Sequence, residues 1–256
     1  GSVMSADELW EEIVNARLRV SGFRYSNYAT FILSRVLESV FNTSAEERAR
    51  RIILDPLGLE DTTFRSEDIM PNRLVLAELV DGRPSLDVQD ELSKALHPRF
   101  SGAAGVFSSA ADLLKVVKTL VCPSSVRDSI IRPEHVPLLG QNQIRPGMGD
   151  VGSGLGFGLV SELMKGYTVP EAVRNNPNLI NGAYFRSSFG GSMMAVFPEM
   201  GEKDSGGTGF LLCTNFVHPQ RKSRKHLPAV RHALVCSAVL GELVPESKYL
   251  FASPED

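Results

Sequence analysis

The order of elements along the chain predicts an α+β fold, in which an antiparallel sheet is flanked by helices. Three observations carry that expectation. Helical periodicity dominates the first half of the sequence, over residues 5–18, 26–41 and 113–121. Two apolar, β-prone runs at 192–198 and 208–216 follow, joined by the loop Glu199–Gly207, and strands joined as a hairpin must be antiparallel. A last helix then starts at Pro228 and runs to about Leu240, with Val230, Leu234, Val235 and Val239 apolar; it is expected to cover one face of the sheet. Helices, then a hairpin, then a helix is not the alternating order that builds a parallel sheet.

Each element has its local reason. Residues 5–18 open with Ser5 and Glu8 at capping-box spacing, and Leu9, Trp10, Ile13, Val14 and Leu18 share a helical face. Gly22 breaks the pattern, and a second helix is expected from about Ser26 to Phe41, with Tyr28, Phe31, Ile32, Val36 and Val40 at helical spacing. Ser44 with Glu47 caps a third helix, which should stop before Pro56. Residues 60–100 show no clear periodicity. Ser109 with Asp112 opens a helix over Leu113–Val121 that Pro123 stops. Residues 137–158, rich in Gly and polar residues, read as loop plus a short strand. The expected organisation is one domain over 1–256, with a helical part at about 5–136 and a loop-and-sheet part with the terminal helix at about 137–245.

Bulk properties bound the function. The chain has 256 residues, 43% hydrophobic and 22% charged, which is ordinary for a globular protein. A formal net charge of −3 argues against nucleic acid as a partner; the basic run Arg221–His226 reads as a solvated loop. No apolar run reaches the roughly 18 residues of a membrane span, so no membrane partner is expected. Cys122, Cys213 and Cys236 sit in apolar contexts and read as free thiols, which points to a reducing, cytoplasmic compartment. No Cys or His pair has zinc spacing, and the expectation is no metal and no cofactor. Gly152-x-Gly154-x-Gly156-x-Gly158 lacks the strand before it and the helix after it that a dinucleotide fingerprint requires. The five histidines are scattered, and no Ser-His-Asp arrangement can be proposed from spacing.

Four stretches, in order, resemble the serine β-lactamase-related family, which includes class C β-lactamases, penicillin-binding-protein-like esterases and certain acyltransferases. Gly22-Phe-Arg-Tyr-Ser-Asn27, directly before a helix, looks like the family's Tyr-x-Asn motif. Ile53-Leu-Asp-Pro-Leu-Gly-Leu-Glu-Asp-Thr-Thr-Phe64 looks like its Pro-Leu-Gly-x-x-Asp-Thr segment. Ser101-Gly-Ala-Ala-Gly-Val-Phe-Ser-Ser-Ala-Ala-Asp-Leu113 is the third, and the hairpin from Ser192 through Asn215 is the fourth. The resemblance covers nearly the whole chain. It implies a β-lactamase/transpeptidase-like fold and acyl hydrolysis or transfer on esters, amides or thioesters through a serine acyl-enzyme.

That chemistry needs a Ser one helical turn before a Lys, so that the Lys can take the hydroxyl proton. No Ser in this chain has Lys three residues later; Ser161 and Lys165 are four apart. The family places its nucleophile well upstream of Tyr-x-Asn, and only 24 residues precede Tyr25 here. The expectation is a fold lacking the usual N-terminal segment. The third motif should fall at Asn181–Ser188, where neither Lys-Thr-Gly nor His-x-Gly stands.

The residues left to carry a site are Tyr25, as a proton relay, and Asn27, as a donor to a substrate carbonyl. Across the family's cleft, Tyr184, Arg186 and Ser188 are the substrate-binding candidates. Against this stands the plainer reading that Tyr25 and Asn27 cap the helix that follows. Three functions remain open: an acyl hydrolase or acyltransferase on a small-molecule acyl substrate, a diverged non-catalytic pseudoenzyme that uses the residual cleft to bind a small molecule or protein, and a cyclase or isomerase with Tyr25 as acid. Because the hairpin strands are apolar on both sides, they expect cover on both faces. Self-association, a partner polypeptide, or the helix at 5–18 as the only internal substitute would supply it.

Overall fold

The structure is a computed structural model that describes residues 5–17, 22–85, 88–96, 100–122, 130–148, 152–165, 171, 180–198, 207–218 and 227–240. Contacts divide the chain into two compact units, Gly1–Asp112 and Leu113–Asp256.

The first unit is mainly helical. In α1 (Ala6–Asn15) the capping box forms as read: the Ser5 hydroxyl accepts from Glu8 N, and Ser5 N donates to the Glu8 carboxylate at 2.7 Å. The helix ends at Asn15, and Leu18 lies outside the described residues. Leu9 is buried with Phe31 and Leu96, with Trp10 and Ile13 packed around them. Helix α2 (Asn27–Phe41) ends at Asn42 in the left-handed region, φ +49°. Of its apolar positions only Phe31 is buried; Val36 and Val40, with Leu33 and Leu37, are exposed on one side, while the side it buries carries Ser34. Its spacing is helical as expected, but the packed face is the mixed one.

The third helix runs past the proline that was expected to stop it. Ser44 accepts from Glu47 N, while the Glu47 carboxylate takes the Thr43 hydroxyl, so only half of a capping box forms. After α3 (Ala45–Ala49) the chain widens into a π-turn, Arg50–Leu54, then re-forms an α-turn, α4 (Asp55–Leu57), that places Pro56 in its first turn. The backbone stays helical through Pro56, with Asp55 N donating to the Arg50 carbonyl, so the proline sits at the end of the wider π-turn instead of stopping the helix. Gly58, at φ +59°, terminates the run. Residues 60–100 hold elements their periodicity hides: a two-stranded ribbon, β1 (Leu79–Val80) and β2 (Arg83–Pro84), and α5 (Glu91–Leu96).

The second unit contains an antiparallel sheet in the order β3 (Gly158–Leu159), β4 (Tyr184–Ser187), β5 (Gly191–Phe197), β6 (Thr208–Asn215). The hairpin is β5–β6, as expected. Alternation along β5 sends Met193, Ala195 and Phe197 to one face, where they pack with Val235 and Cys236 of α9 (Leu227–Leu240) and with Val160 and Met164, in and just after α8 (Val160–Leu163). Val196 and Tyr184 face the other way, against Leu120 of α6 (Ala110–Val121) and Leu139 of α7 (Pro137–Gly140). The terminal helix therefore covers one face as predicted. The second face is covered by α6 and α7, and within the first unit the apolar residues of α1 go to Phe31 and Leu96.

Gly154 and Gly140 are spacers for this packing. A Cβ on Gly154 would lie 1.8 Å from the Leu139 carbonyl oxygen, and one on Gly140 1.9 Å from that of Gly182. Only a residue without a side chain lets those backbones meet.

Candidate functional site

Three of the four motif-like stretches converge inside the first unit, and polar bonds tie them. The Thr63 and Phe107 backbones exchange two hydrogen bonds, at 2.9 and 2.8 Å. Asp112, which is 3% exposed, accepts from Asp61 N at 2.8 Å and from the Thr62 hydroxyl at 2.9 Å. The Ser109 hydroxyl accepts from Asp112 N and starts α6, three residues earlier than the sequence suggested; Ser108 pairs with Thr62. Asp112 and the two serines thus hold the second stretch to the third.

The first stretch meets the third through a different chain of bonds. Asn27 Nδ2 donates to Asp90 Oδ2. Asp90 Oδ1 accepts from Ser93 N and Ser93 Oγ, both at 2.9 Å. Ser93 Oγ lies 2.7 Å from Ser101 Oγ, which accepts from Ala103 N. Since Ser93 gives its only hydroxyl proton to Asp90, Ser101 donates to Ser93. Both serines are buried, so the network is held in low dielectric, where each bond counts for more. Gly102, at φ +75°, brings this loop onto α2, and a Cβ there would sit 3.1 Å from the Thr30 carbonyl oxygen.

Ser26, between the two motif residues, is the true helix cap: its hydroxyl accepts from Tyr28 N at 3.2 Å. Neither Tyr25 nor Asn27 caps. Tyr25 is 70% exposed, so its phenol stands in solvent; Asn27 is half-buried on the network. A groove of about 600 Å³ does lie in this unit, lined by Arg50, Thr62, Arg73, Phe107 and Ser108 among others, but Tyr25 and Asn27 are not among its lining residues.

Tyr184, Arg186 and Ser188 belong to the second unit, on β4 and the turn after it. Tyr184, the first of the substrate-binding candidates, lies in the core of this unit. It is 1% exposed, packed edge-on against Phe157, and its hydroxyl has no partner among the described residues. Burial pushes its phenol well above the ordinary range. Arg186 donates to the Gly156 carbonyl at 3.1 Å. Ser188 is exposed and turns the chain from β4 to β5; Arg231 of α9 donates to the carbonyls of Ser188 and Gly191 across that turn. Asp90, Ser93 and Arg231 carry no motif or spacing that marks them in the sequence.

Other candidates for nucleophile or metal chemistry are weak. Ser161 stands on α8, and Lys165 is held by Glu162 at 2.7 Å. Partial burial raises the Cys213 thiol, which disfavours the thiolate. Among the described residues no group of three or more His, Cys, Asp or Glu could hold a metal ion, and no helix is long and apolar enough to cross a membrane.

One unit with an antiparallel sheet covered by the last described helix on one face and by internal helices on the other, and one helical unit that carries the Tyr-x-Asn stretch, define a β-lactamase/transpeptidase-like fold. The chain belongs to the beta-lactamase family, whose sequence model matches residues 3–235. A mutant of the simvastatin synthase LovD from Aspergillus terreus superposes with a TM-score of 0.55 at 17% identity, over 81% of this chain and 52% of that one. The octameric penicillin-binding protein homologue from Pyrococcus abyssi gives 0.57 at 20% identity, over 94% and 49%. A β-lactamase from Mycobacterium bovis gives 0.52 at 16% identity, over 88% and 66%. At these identities the likeness is one of fold. The chain spans about half the length of the first two. No curated protein matches it by sequence.

Proposed function

We propose that this chain is part of a serine acyl hydrolase or acyltransferase, acting on an ester, amide or thioester of a small molecule, whose nucleophile is supplied by polypeptide outside the present sequence. One observation carries the reading. The family match runs over residues 3–235, yet no serine has a lysine three residues later, and the similar folds contain about as much chain again. Tyr25 then acts as the proton relay beside the incoming serine, and Asn27 orients the substrate.

The uncovered side of α2 supports the same reading. Leu33 and Val40 are 56% and 68% exposed, and Val36 and Leu37 lie between them on one face. Such a face calls for cover by another polypeptide, either a segment continuous with this chain or a separate one. Cys122, Cys213 and Cys236 form no disulfide, which fits a reducing, cytoplasmic compartment.

The second reading is a diverged member that binds without catalysis, and the missing Ser-x-x-Lys favours it equally until the rest of the protein is known. The reading frame that precedes Val3 separates the two. Under the proposal it encodes a helix with Ser-x-x-Lys, and the extended protein is labelled by a fluorophosphonate at that serine. An extended protein with no such motif and no label overturns the enzymatic reading.

A further inference from the structure

The bond from Asn27 to Asp90 settles which way the Asn27 amide faces. A carboxylate accepts hydrogen bonds and does not donate them. Asp90 Oδ1 is already occupied by the Ser93 backbone N–H, a donor that cannot turn round, and by the Ser93 hydroxyl. Oδ2 is left for Asn27, and only the nitrogen end of that amide can answer it. Ser101 buttresses the arrangement from behind by donating to Ser93, and Ala103 N in turn fixes Ser101. The backbone on the other side is equally constrained: the Asn27 carbonyl accepts from the Thr30 hydroxyl at 2.7 Å.

We propose that Asp90 is a positioning residue for Asn27. It holds the amide nitrogen inward and turns Oδ1 away, where it has no partner among the described residues. One of its two N–H groups is spent on Asp90, so Asn27 keeps Oδ1 as an acceptor for a hydroxyl or amide N–H of a ligand, and one further N–H as a donor. The inference rests on the reading of Asn27 as a site residue for its functional meaning, but its geometry does not.

The same logic predicts an inversion. In Asp90→Asn the new side chain must keep its oxygen on Ser93 N, so its nitrogen faces Asn27. Asn27 then has to flip and offer Oδ1 inward.

The test is the side-chain amide signal of Asn27 in the ¹⁵N-labelled full chain, assigned by its loss in Asn27→Asp. In the unsubstituted protein one Asn27 amide proton should lie downfield and exchange slowly. In D90N it should return to the position of a solvent-exposed asparagine, while the backbone amides of Phe31 and Ser34 stay in place. The exchanged pair N27D/D90N should restore a downfield amide proton, now on residue 90, and this variant covers the case in which D90N alone folds poorly. Asn27 amide protons that look solvent-exposed in the unsubstituted protein, or that do not move in D90N, overturn the proposal. No ligand is needed for this signature. A failure of the extended protein to take up fluorophosphonate therefore sinks the site reading and leaves this inference standing.

Discussion

Replacing Tyr184 with phenylalanine removes one oxygen from the core and tests whether the second unit is packed as described. The hydroxyl is buried without a partner among the described residues, and its ring lies 5.1 Å from Phe157 at 72°, with Leu120, Leu139 and Val196 around it. An unpaired polar group in a core costs about 1–3 kcal/mol, so its removal should return part of that, about 1 kcal/mol net. The ring contacts survive the change because phenylalanine keeps the edge-to-face geometry. With a urea slope of roughly 2–3 kcal/mol/M, the unfolding midpoint followed by circular dichroism should rise by about 0.3–0.5 M at unchanged slope. Tyr184→Ala, which empties the site, should instead cost about 3–5 kcal/mol. A midpoint that falls in Y184F by as much as it was expected to rise would mean that the hydroxyl has a partner, and the packing argument would fail.

Asp112→Ala should destabilise the first unit by about 3 kcal/mol or more, since it strips charge-assisted bonds from the Asp61 N–H and the Thr62 hydroxyl; a thermal unfolding shift worth under about 1 kcal/mol would contradict that. The Ser5 backbone N–H, and then its hydroxyl, hold the Glu8 carboxyl below the usual carboxylate range. The sign follows from a depressed folded value: the carboxylate supports the start of α1 above its unfolded pKa, and that support is lost as pH falls through the folded one. An NMR titration should find Glu8 below the ordinary glutamate value, and Ser5→Ala should raise it part of the way, since the backbone donor remains; a midpoint indifferent to Ser5→Ala would show the cap is not made. Leu33→Glu with Val40→Glu should change stability by no more than about 0.5 kcal/mol per site while lowering the binding of a dye that reports exposed apolar surface. A loss above about 2 kcal/mol would show this face to be packed.

What the sequence made legible were the features with a local physical cause. The Ser5–Glu8 box, the β5–β6 hairpin and the terminal helix on the sheet follow from spacing and alternation, and the structure holds all three. Pro56 misled because the helix widens into a π-turn just before it and carries on helical through the proline to Leu57. The β1–β2 ribbon carried a readable signal, Asp81-Gly82, both at positive φ as a tight hairpin turn of this kind demands. The face that α2 buries was not legible, because its apolar residues spread round the helix and the packed side was chosen by Phe31 and Ser34. At the site, motif likeness located Tyr25 and Asn27 but could not reveal Asp90, which lies 63 residues away and meets Asn27 only through the fold. Tyr184 stood at the expected register on β4, yet strand alternation turned it into the core.

The central claim is that this chain has the fold of a serine β-lactamase relative without its nucleophile. Intact-mass measurement of the isolated chain after incubation with a β-lactam and, separately, with a fluorophosphonate tests it most directly. The account predicts no stoichiometric adduct with either reagent, because no serine here has a lysine one turn away and Lys165 is held by Glu162. A one-to-one mass increase that disappears when a single serine, such as Ser161, is replaced by alanine would contradict it.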